Sequence, residues 1–213
     1  MAFAYPVSLE VSGRSAVVIG EEAVRHGKAD ALVSAGARVT VIATGPLDSL
    51  ARLRGGGATV LRRDYRAGDL AGAFLCVASS SDPLDRAAIF REAEGRGVLA
   101  NVMDDNPHCH FAAPAIIRRG DLAIAISTGG RSPALARRLR EELEERFGPV
   151  WEDLVEVIGE VRERTLARLP DLAERSRRWN RALDLEELEH LIRAGRADEA
   201  RSSLEARVME DSA

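Results

Sequence analysis

The sequence has 213 residues, of which 46% are hydrophobic and 30% are charged. That composition is typical of a soluble globular protein rather than a disordered chain. The net charge of −4 gives no sign of nucleic-acid or anionic-membrane binding, and no apolar run reaches the roughly 18–20 residues of a membrane span. The N-terminal stretch MAFAYPVSLEVSG lacks a secretion-signal pattern, and two cysteines make a disulfide framework unexpected, so we expect a cytoplasmic protein.

Short apolar runs alternate with helical patterns through the first half of the chain, which is typical of βαβ units and a parallel sheet. The predicted strands are residues 15–19, 37–43, 59–62, 73–78 and 98–102. The predicted helices lie near residues 22–35, 46–54 and 83–96. We therefore predict an α/β fold with a Rossmann-like domain over residues 1–113.

The pattern changes after Asn101. Residues 111–127 predict a β-hairpin that turns at residues 119–121, and Ser132-Pro133 is an N-cap and first-turn signal for a helix that ends near Phe147. From residue 150 onward the pattern is helical, with predicted breaks near Pro170, Asn180 and Ala194-Gly195. These patterns indicate a small hairpin and helix segment over residues 114–148 and a helical domain over residues 149–213.

The stretch VVIGEEAVRHGK, residues 17–28, resembles the start of a dinucleotide-binding fold but departs from its glycine fingerprint. Gly20 stands at the strand-to-helix turn, whereas Glu22 occupies the position of the second glycine, beside the cofactor's diphosphate. A carboxylate about 4–6 Å from a diphosphate is repelled by roughly 1–4 kcal/mol. Arg25 and His26 would offset part of that repulsion. The pattern thus predicts the fold and leaves open whether the chain binds NAD.

Several motifs together identify a family: VVIG…K, AGARVTVIA, NVMDD, C-x-F-x-x-P-A, AISTGGRSPALARRLREELE and FGP-x-W. They resemble the precorrin-2 dehydrogenase/sirohydrochlorin ferrochelatase family, the sirohaem synthase proteins, in a stand-alone form without the methyltransferase domain. The similarity extends over roughly the first 165 residues. It implies a homodimer that oxidises precorrin-2 to sirohydrochlorin with NAD, with insertion of Fe2+ to give sirohaem as a second activity.

Asp104 in NVMDDNP is the predicted catalytic residue. It follows the fifth strand, and open α/β sheets bind ligands beyond the carboxyl ends of their strands. Macrocycle oxidation and metal insertion both remove protons, so a carboxylate there suits a general base. The resemblance assigns the family's catalytic aspartate to Asp104 and not to Asp105, which we interpret as solvated or turn-forming. The alternative is that both residues only form a turn before Pro107.

The stretch STGGRSP, residues 127–133, is the strongest candidate for binding the carboxylate side chains of a tetrapyrrole. Two glycines let the backbone approach a ligand, a helix begins at Pro133, and Arg131, Arg137 and Arg138 add positive charge. The alternative is a capped glycine turn whose arginines face water. The predicted substrate-binding residues are Asn101, Cys109, Phe111, Ser127, Thr128, Gly129, Gly130 and Arg131.

The predicted cofactor-binding residues flank the first, second and fourth strands: Gly20, Glu21, Glu22, Ala23, Val24, Ala43, Ser79 and Ser80. No acidic residue ends the second strand to bind a ribose, and a helix N-cap at Ser81 or Asp82 would explain the serine-rich turn equally well. His108 and His110 would project to the same side of an extended segment, but two imidazoles fall short of a stable metal site. We predict no metal site.

Three functions from different classes remain open at this point. The first is the NAD-dependent dehydrogenase, with or without iron insertion. The second is a sirohydrochlorin chelatase that has lost NAD binding, which the Glu22 departure would suit. The third is a tetrapyrrole-binding homologue without turnover. NAD binding separates the first from the other two, and dependence of turnover on Asp104 separates the second from the third.

Overall fold

The computed structural model describes residues 5–45 and 47–210, and for Leu47 only the backbone. The first four residues, the predicted helix start at residue 46 and the last three residues of the predicted helical domain lie outside that range. The chain forms two compact units, Met1–Ala113 and Pro114–Ala213. In the described residues no helix has both the length and the apolar character that crossing a bilayer requires.

The first unit is built on a five-stranded parallel sheet in the order β3-β2-β1-β4-β5. All five predicted strands are present, most of them shorter by one or two residues than the pattern indicated. Their bounds are β1 (Ser15–Ile19), β2 (Arg38–Ile42), β3 (Thr59–Leu61), β4 (Leu75–Ala78) and β5 (Leu99–Val102). The Rossmann-like fold predicted from the sequence is confirmed.

Four helices connect these strands: α1 (Glu21–Arg25), α2 (Lys28–Ser34), α3 (Leu47–Gly55) and α4 (Pro83–Arg96). The single helix predicted over residues 22–35 is wrong. Gly27 takes a left-handed backbone, with φ of 68°, so α1 ends at Arg25 and α2 begins at Lys28. The N-cap of α4 is Asp82, whose carboxylate accepts the Leu84 N–H at 2.8 Å.

Alternate residues of the strands face opposite sides of the sheet and form two cores. On one side Val18, Val41 and Val77 pack with residues of α1, α2 and α3. On the other side Val17 and Ile42 pack with Ile89 of α4. Because helices cover both faces, the strands read as continuous apolar runs rather than as an alternating pattern. A ligand therefore cannot reach the faces of the sheet, and open α/β sheets bind ligands at the carboxyl ends of their strands.

The second unit begins with an antiparallel hairpin, β6 (Ala115–Arg119) and β7 (Leu122–Ile126), which turns where the sequence predicted. Five helices follow: α5 (Pro133–Arg146), α6 (Val150–Leu166), α7 (Leu172–Ala182), α8 (Leu185–Arg193) and α9 (Ala197–Met209). The break predicted near Asn180 lies instead at residues 183–184. Asp184 sets it by accepting the Glu187 N–H at 3.1 Å as the N-cap of α8.

Residues of α6 to α9 share one apolar core, in which Leu154, Val161, Leu188 and Leu204 are fully buried. Trp179 lies in the same core. The division of this second unit into a dimerisation segment over residues 114–148 and a helical domain over residues 149–213 stays a prediction.

Candidate active site

The first unit has a topological switch point between β1 and β4, the position at which open α/β sheets bind ligands. The chain runs outward from β1 to β2 and β3 on one side, and from β4 to β5 on the other. Gly20 follows β1 and donates its N–H to Ile42 O at 2.9 Å, and Ser79 follows β4 and donates its N–H to Ile19 O at 2.8 Å. Both predicted cofactor residues thus lie at the switch point.

Both the backbone conformation and the neighbouring atoms require glycine at position 20. Its φ of 88° and ψ of 156° belong to a region that only glycine adopts readily. A Cβ on Gly20 would lie 2.1 Å from the backbone oxygen of Ser79. The turn after β1 and the turn after β4 therefore meet at closer range than any side chain allows.

The two serines that follow β4 hold their own turn together. Ser79 Oγ accepts the Ala23 N–H of α1 at 3.0 Å and donates to Ile19 O at 3.3 Å. Ser80 Oγ accepts the Asp82 N–H at 3.1 Å and donates to an Asp85 carboxylate oxygen at 3.2 Å. Ser79 thereby satisfies one of the free N–H groups at the start of α1. Both hydroxyls have hydrogen-bond partners within the protein, so their main role is to stabilise the turns at the switch point.

Glu22 occupies the position of the second fingerprint glycine, where its charge would oppose cofactor binding. In the structure its carboxylate forms an ion pair with Arg25. Its carboxylate lies 2.5 Å from Arg25 Nη2 and 3.6 Å from His26 Nε2. Both partners are further along the chain, so the side chain leans away from the helix start. An exposed pair of this kind contributes little stability, but it lowers the negative potential at the turn. The pairing therefore weakens the repulsion that Glu22 would exert on the diphosphate of a dinucleotide.

The remaining predicted cofactor residues split into two groups. The side chains of Ala23, Val24 and Ala43 are buried in the core, so only their backbone atoms are available to a ligand. Glu21 instead extends its carboxylate to the residues after β2, where its Oε1 lies 3.4 Å from Thr44 Oγ1. Thr44 is a functional candidate that only the structure reveals, because no local sequence pattern near β2 marks it.

Asp104 stands in the turn after β5 with an unusual backbone. It is the one non-glycine residue with positive φ, 60°, in residues 5–45 and 47–210. Left-handed backbone costs an ordinary L-residue about 1–2 kcal/mol, and aspartate less. Asp104 is exposed, and its carboxylate has no hydrogen bond or ion pair within the described part of the chain. The turn thus presents a free carboxylate on a strained backbone, as functional sites often do.

Asp105 forms part of the turn, which is one of its two predicted roles, and its carboxylate is paired within the protein rather than solvated. Its Oδ2 accepts a hydrogen bond from Arg86 Nε at 2.9 Å and lies 3.0 Å from His108 Nδ1. His108, and then Arg86, lowers the pKa of Asp105 below its usual range. Arg86 also donates to Ser80 O at 2.8 Å. One guanidinium therefore joins the turns after β4 and β5 and fixes the base of the Asp104 turn.

We expect Asp105→Asn to lower the free energy of unfolding by about 1–2 kcal/mol at pH 7, because a charge-assisted hydrogen bond is lost. Since the pKa of Asp105 is lowered in the folded state, its contribution is present above the unfolded value of about 3.9 and is lost as pH falls through the folded value. Urea unfolding at pH 7 and at pH 3 measures this. The gap between wild type and variant should shrink at pH 3.

Asp85→Asn is the matched control, since the exposed Asp85 carboxylate accepts one hydrogen bond from a neutral hydroxyl. It should cost less than Asp105→Asn, with a smaller pH dependence. Equal losses for the two variants, or a gap that is the same at both pH values, would show that the Arg86–Asp105 pair does not stabilise the turn.

The extended segment expected over residues 108–110 is only partly present, because His108 ends a 3-10 turn whereas Cys109 has an extended backbone and bridges Asn101. Residues Asn106–His108 form a 3-10 turn, and the two imidazoles pack on Phe90, with ring centroids 5.2 and 4.9 Å away. Throughout the described residues, no three or more His, Cys, Asp or Glu side chains are grouped to hold a metal ion. These histidines therefore help to pack the turn onto α4.

The predicted substrate residues near this turn are occupied in holding it to the sheet. Asn101 Nδ2 donates to Phe111 O at 2.8 Å, and Cys109 Sγ donates to Val102 O at 3.1 Å. Burial raises the pKa of the Cys109 thiol, so it stays protonated as this bond requires. Phe111 packs against the core of the first unit. Their assignment to substrate binding stays a prediction.

The predicted anion site of the second unit is a compact loop before α5. Thr128 Oγ1 accepts the Ser132 N–H at 3.1 Å and donates to Ser132 O, and Ser127 Oγ accepts the Gly129 N–H at 3.2 Å. Gly129 and Gly130 have positive φ, 61° and 77°. Ser132 is the N-cap of α5, as predicted, through the Leu135 N–H at 3.1 Å.

The arginines around this loop differ in their charge pairing. Arg138 pairs with Glu142 at 2.8 Å. Arg131 and Arg137 are exposed, and their guanidinium groups have no partner within the described residues. These two are therefore available for an anionic ligand, whereas the hydroxyls of Ser127 and Thr128 mainly shape the loop.

The parallel sheet, the glycine turn at the switch point and the helix that follows define a Rossmann-type dinucleotide-binding domain. Residues 7–115 match a family model described as "Putative NAD(P)-binding", and residues 119–146 match one described as "Sirohaem biosynthesis protein central". The chain belongs to this putative NAD(P)-binding family. The resemblance to the sirohaem synthase proteins is confirmed.

Alignments with similar proteins extend over nearly the whole chain. It is 34% identical over 205 residues to siroheme synthase 1 of Pectobacterium atrosepticum, and 36% identical over 204 residues to siroheme synthase of Pseudomonas aeruginosa. These alignments include 96% and 95% of this chain but only 42% and 44% of the relatives. A solved structure, "SirC, precorrin-2 dehydrogenase", superposes with a TM-score of 0.65 at 24% identity, covering 95% of this chain and 99% of that one. That likeness shows the fold.

Proposed function

We propose that this protein oxidises precorrin-2 to sirohydrochlorin with NAD as the hydride acceptor, a step of sirohaem biosynthesis. The observation that carries the proposal is the free carboxylate of Asp104 at the same edge of the sheet as the switch point. Gly20, Ser79 and Asp104 follow β1, β4 and β5, which are neighbours in one parallel sheet. A dinucleotide crevice and a candidate base thus share one edge. The names of the similar siroheme synthases and precorrin-2 dehydrogenase support the same reaction.

The reaction removes two electrons and two protons from the macrocycle. NAD, when bound, supplies the acceptor for one hydride, which gives NADH. The second hydrogen leaves as a proton, and Asp104 Oδ is the group we assign to accept it. The Gly20 turn and the start of α1 would hold the diphosphate, and the paired charge of Glu22 permits this. Arg131 and Arg137 would bind acetate and propionate groups of the substrate.

Insertion of Fe2+ into sirohydrochlorin is a second candidate activity, with the metal ion as a substrate. Metal insertion displaces two pyrrole protons, and the unpaired Asp104 carboxylate suits their removal as well. The alternative to the dehydrogenase is a chelatase or tetrapyrrole-binding protein without NAD. The two carboxylates on the first turn of α1, Glu21 and Glu22, are the feature that favours this alternative.

We further propose that two copies of the chain associate through the hairpin and α5. No residue of α5 is buried, and Ile116 of β6 and Leu135 of α5 are 40% and 50% exposed. A hairpin and helix with so little buried apolar surface need a partner surface to be stable. The free thiols of Cys76 and Cys109 support the cytoplasm as the location.

Calorimetric titration with NAD+ and, separately, with sirohydrochlorin tests the proposed function. The dehydrogenase requires saturable binding of both ligands by the wild-type protein, with NAD+ affinity in the micromolar to sub-millimolar range. A protein that binds sirohydrochlorin but does not bind NAD+ would contradict the dehydrogenase and indicate a chelatase or carrier. Iron insertion, followed as sirohaem absorbance after addition of Fe2+, then separates those two.

A further inference from the structure

Glu21 reaches from the first turn of α1 to the end of β2. Its Oε1 lies 3.4 Å from Thr44 Oγ1, and Thr44 is the second residue after β2. Gly45 lies so close that a Cβ there would stand 3.2 Å from Glu21 Cγ. The structure thus positions a carboxylate at the carboxyl end of β2, although the strand itself ends in VTVIA without an acidic residue.

The carboxyl end of β2 is where dinucleotide-binding folds recognise the adenosine ribose. An acidic residue about 20 positions after the first glycine accepts hydrogen bonds from the ribose hydroxyls of NAD, whereas an arginine accommodates the 2′-phosphate of NADP. We propose that Glu21 performs this role here, binding the ribose hydroxyls and excluding the 2′-phosphate. The inference rests on the proposed use of a nicotinamide cofactor, and it makes the chain selective for NAD.

The two adjacent glutamates differ in their charge pairing, and this difference makes Glu21 the candidate for binding the ribose. Glu22 forms an ion pair with Arg25, and its carboxylate lies 3.6 Å from His26 Nε2. Glu21 has a neutral hydroxyl as its partner and no ion pair within the described part of the chain. Its full negative charge is therefore available to hydroxyl donors and repels a phosphate dianion. The 3.4 Å contact with Thr44 Oγ1 is long and exposed, so both carboxylate oxygens remain available to a ligand.

Arg62 gives the competing assignment. It is the residue after β3 and is exposed, and Leu61 of β3 pairs with Ile42 of β2, so Arg62 belongs to the same edge of the sheet. If Arg62 dominated the ribose end of the site, it would favour the 2′-phosphate and the chain would prefer NADP. The relative affinities for the two cofactors decide between Glu21 and Arg62.

The test is calorimetric titration of the wild type, Glu21→Gln and Glu22→Gln with NAD+ and with NADP+. Glu22→Gln is the matched control, because it removes one carboxylate from the same helical turn. We expect the wild type to bind NAD+ at least about tenfold more tightly than NADP+, since a carboxylate near a phosphate is repelled. Glu21→Gln should bring the two affinities within about threefold, and Glu22→Gln should keep the wild-type ratio.

Circular dichroism and the unfolding midpoint establish that each variant is folded. A wild type that prefers NAD+ by a ratio that Glu21→Gln leaves unchanged would overturn the role of Glu21 while the proposed function stands. Preference of the wild type for NADP+ would also overturn it and favour Arg62. A folded wild type that binds neither cofactor would overturn the proposed dehydrogenase itself.

Discussion

Asp104→Asn is expected to lower the kcat of precorrin-2 oxidation by about 10²- to 10⁴-fold, the usual contribution of a general base. Asparagine keeps the shape of aspartate and tolerates the left-handed backbone that φ of 60° requires, but it cannot accept a proton. The Asp104 carboxylate has no partner within the described residues, so its loss should leave the fold and tetrapyrrole binding intact. Steady-state kinetics, calorimetry and urea unfolding together test these expectations.

Asp104→Gly separates function from strain at the same position. Glycine adopts positive φ without steric cost, so this variant should gain up to about 1 kcal/mol in free energy of unfolding while losing activity as Asp104→Asn does. Opposite changes in stability and activity are expected of a strained functional residue. If both variants retain wild-type kcat, Asp104 only forms the turn before Pro107 and the base must be sought elsewhere.

Gly20→Ala is expected to destabilise the protein by roughly 2–6 kcal/mol and to abolish NAD binding. The added Cβ would lie 2.1 Å from the backbone oxygen of Ser79, and alanine would be forced to φ of 88°. The backbone region of Gly20, which only glycine adopts readily, costs other residues about 1–3 kcal/mol, and an overpacked site costs about 1–3 kcal/mol more. Urea unfolding measures the loss of stability, and calorimetry measures the loss of NAD+ affinity.

Gly27→Ala is the matched control for this effect. Gly27 also has positive φ, 68°, but no atom lies within 4 Å of the position of its Cβ. The control should cost only the backbone term, about 1–2 kcal/mol, and should keep NAD+ binding. Equal losses of stability in the two variants would show that the turns after β1 and β4 are not in the close contact on which the proposed cofactor site depends.

Much of the fold follows from local sequence patterns, because apolar runs bounded by turn residues identify buried strands. All five strands of the first unit and the hairpin of the second lie within a few residues of their predicted positions. The helix over residues 22–35 was wrong because glycine within a helical pattern is ambiguous, and only the left-handed backbone of Gly27 shows that the chain turns there. The break was predicted near Asn180 from a single weak helix former, whereas it lies at residues 183–184 because Asp184 is the N-cap of α8.

The candidate site was predictable only where its residues lie in one short motif. Gly20, Asp104 and the STGG loop each stand at a turn that sequence can locate. The contacts that fix the site join distant segments: Glu21 with Thr44, Ala23 with Ser79, and Arg86 with Asp105. No local pattern marks Arg86, a residue within a charged helix, or predicts that its ion pair orders the Asp104 turn. The same limit applies to Phe90, whose ring packs against His108 and His110 and which no local pattern marks.

Anaerobic incubation of the purified protein with precorrin-2 and NAD+ tests the proposed dehydrogenase most directly. NADH is followed by its fluorescence, and sirohydrochlorin by its absorbance. We predict that both products form in equal amounts, that neither forms without NAD+, and that Asp104→Asn slows both together. Precorrin-2 that stays unoxidised in the presence of folded protein and saturating NAD+ would contradict the account.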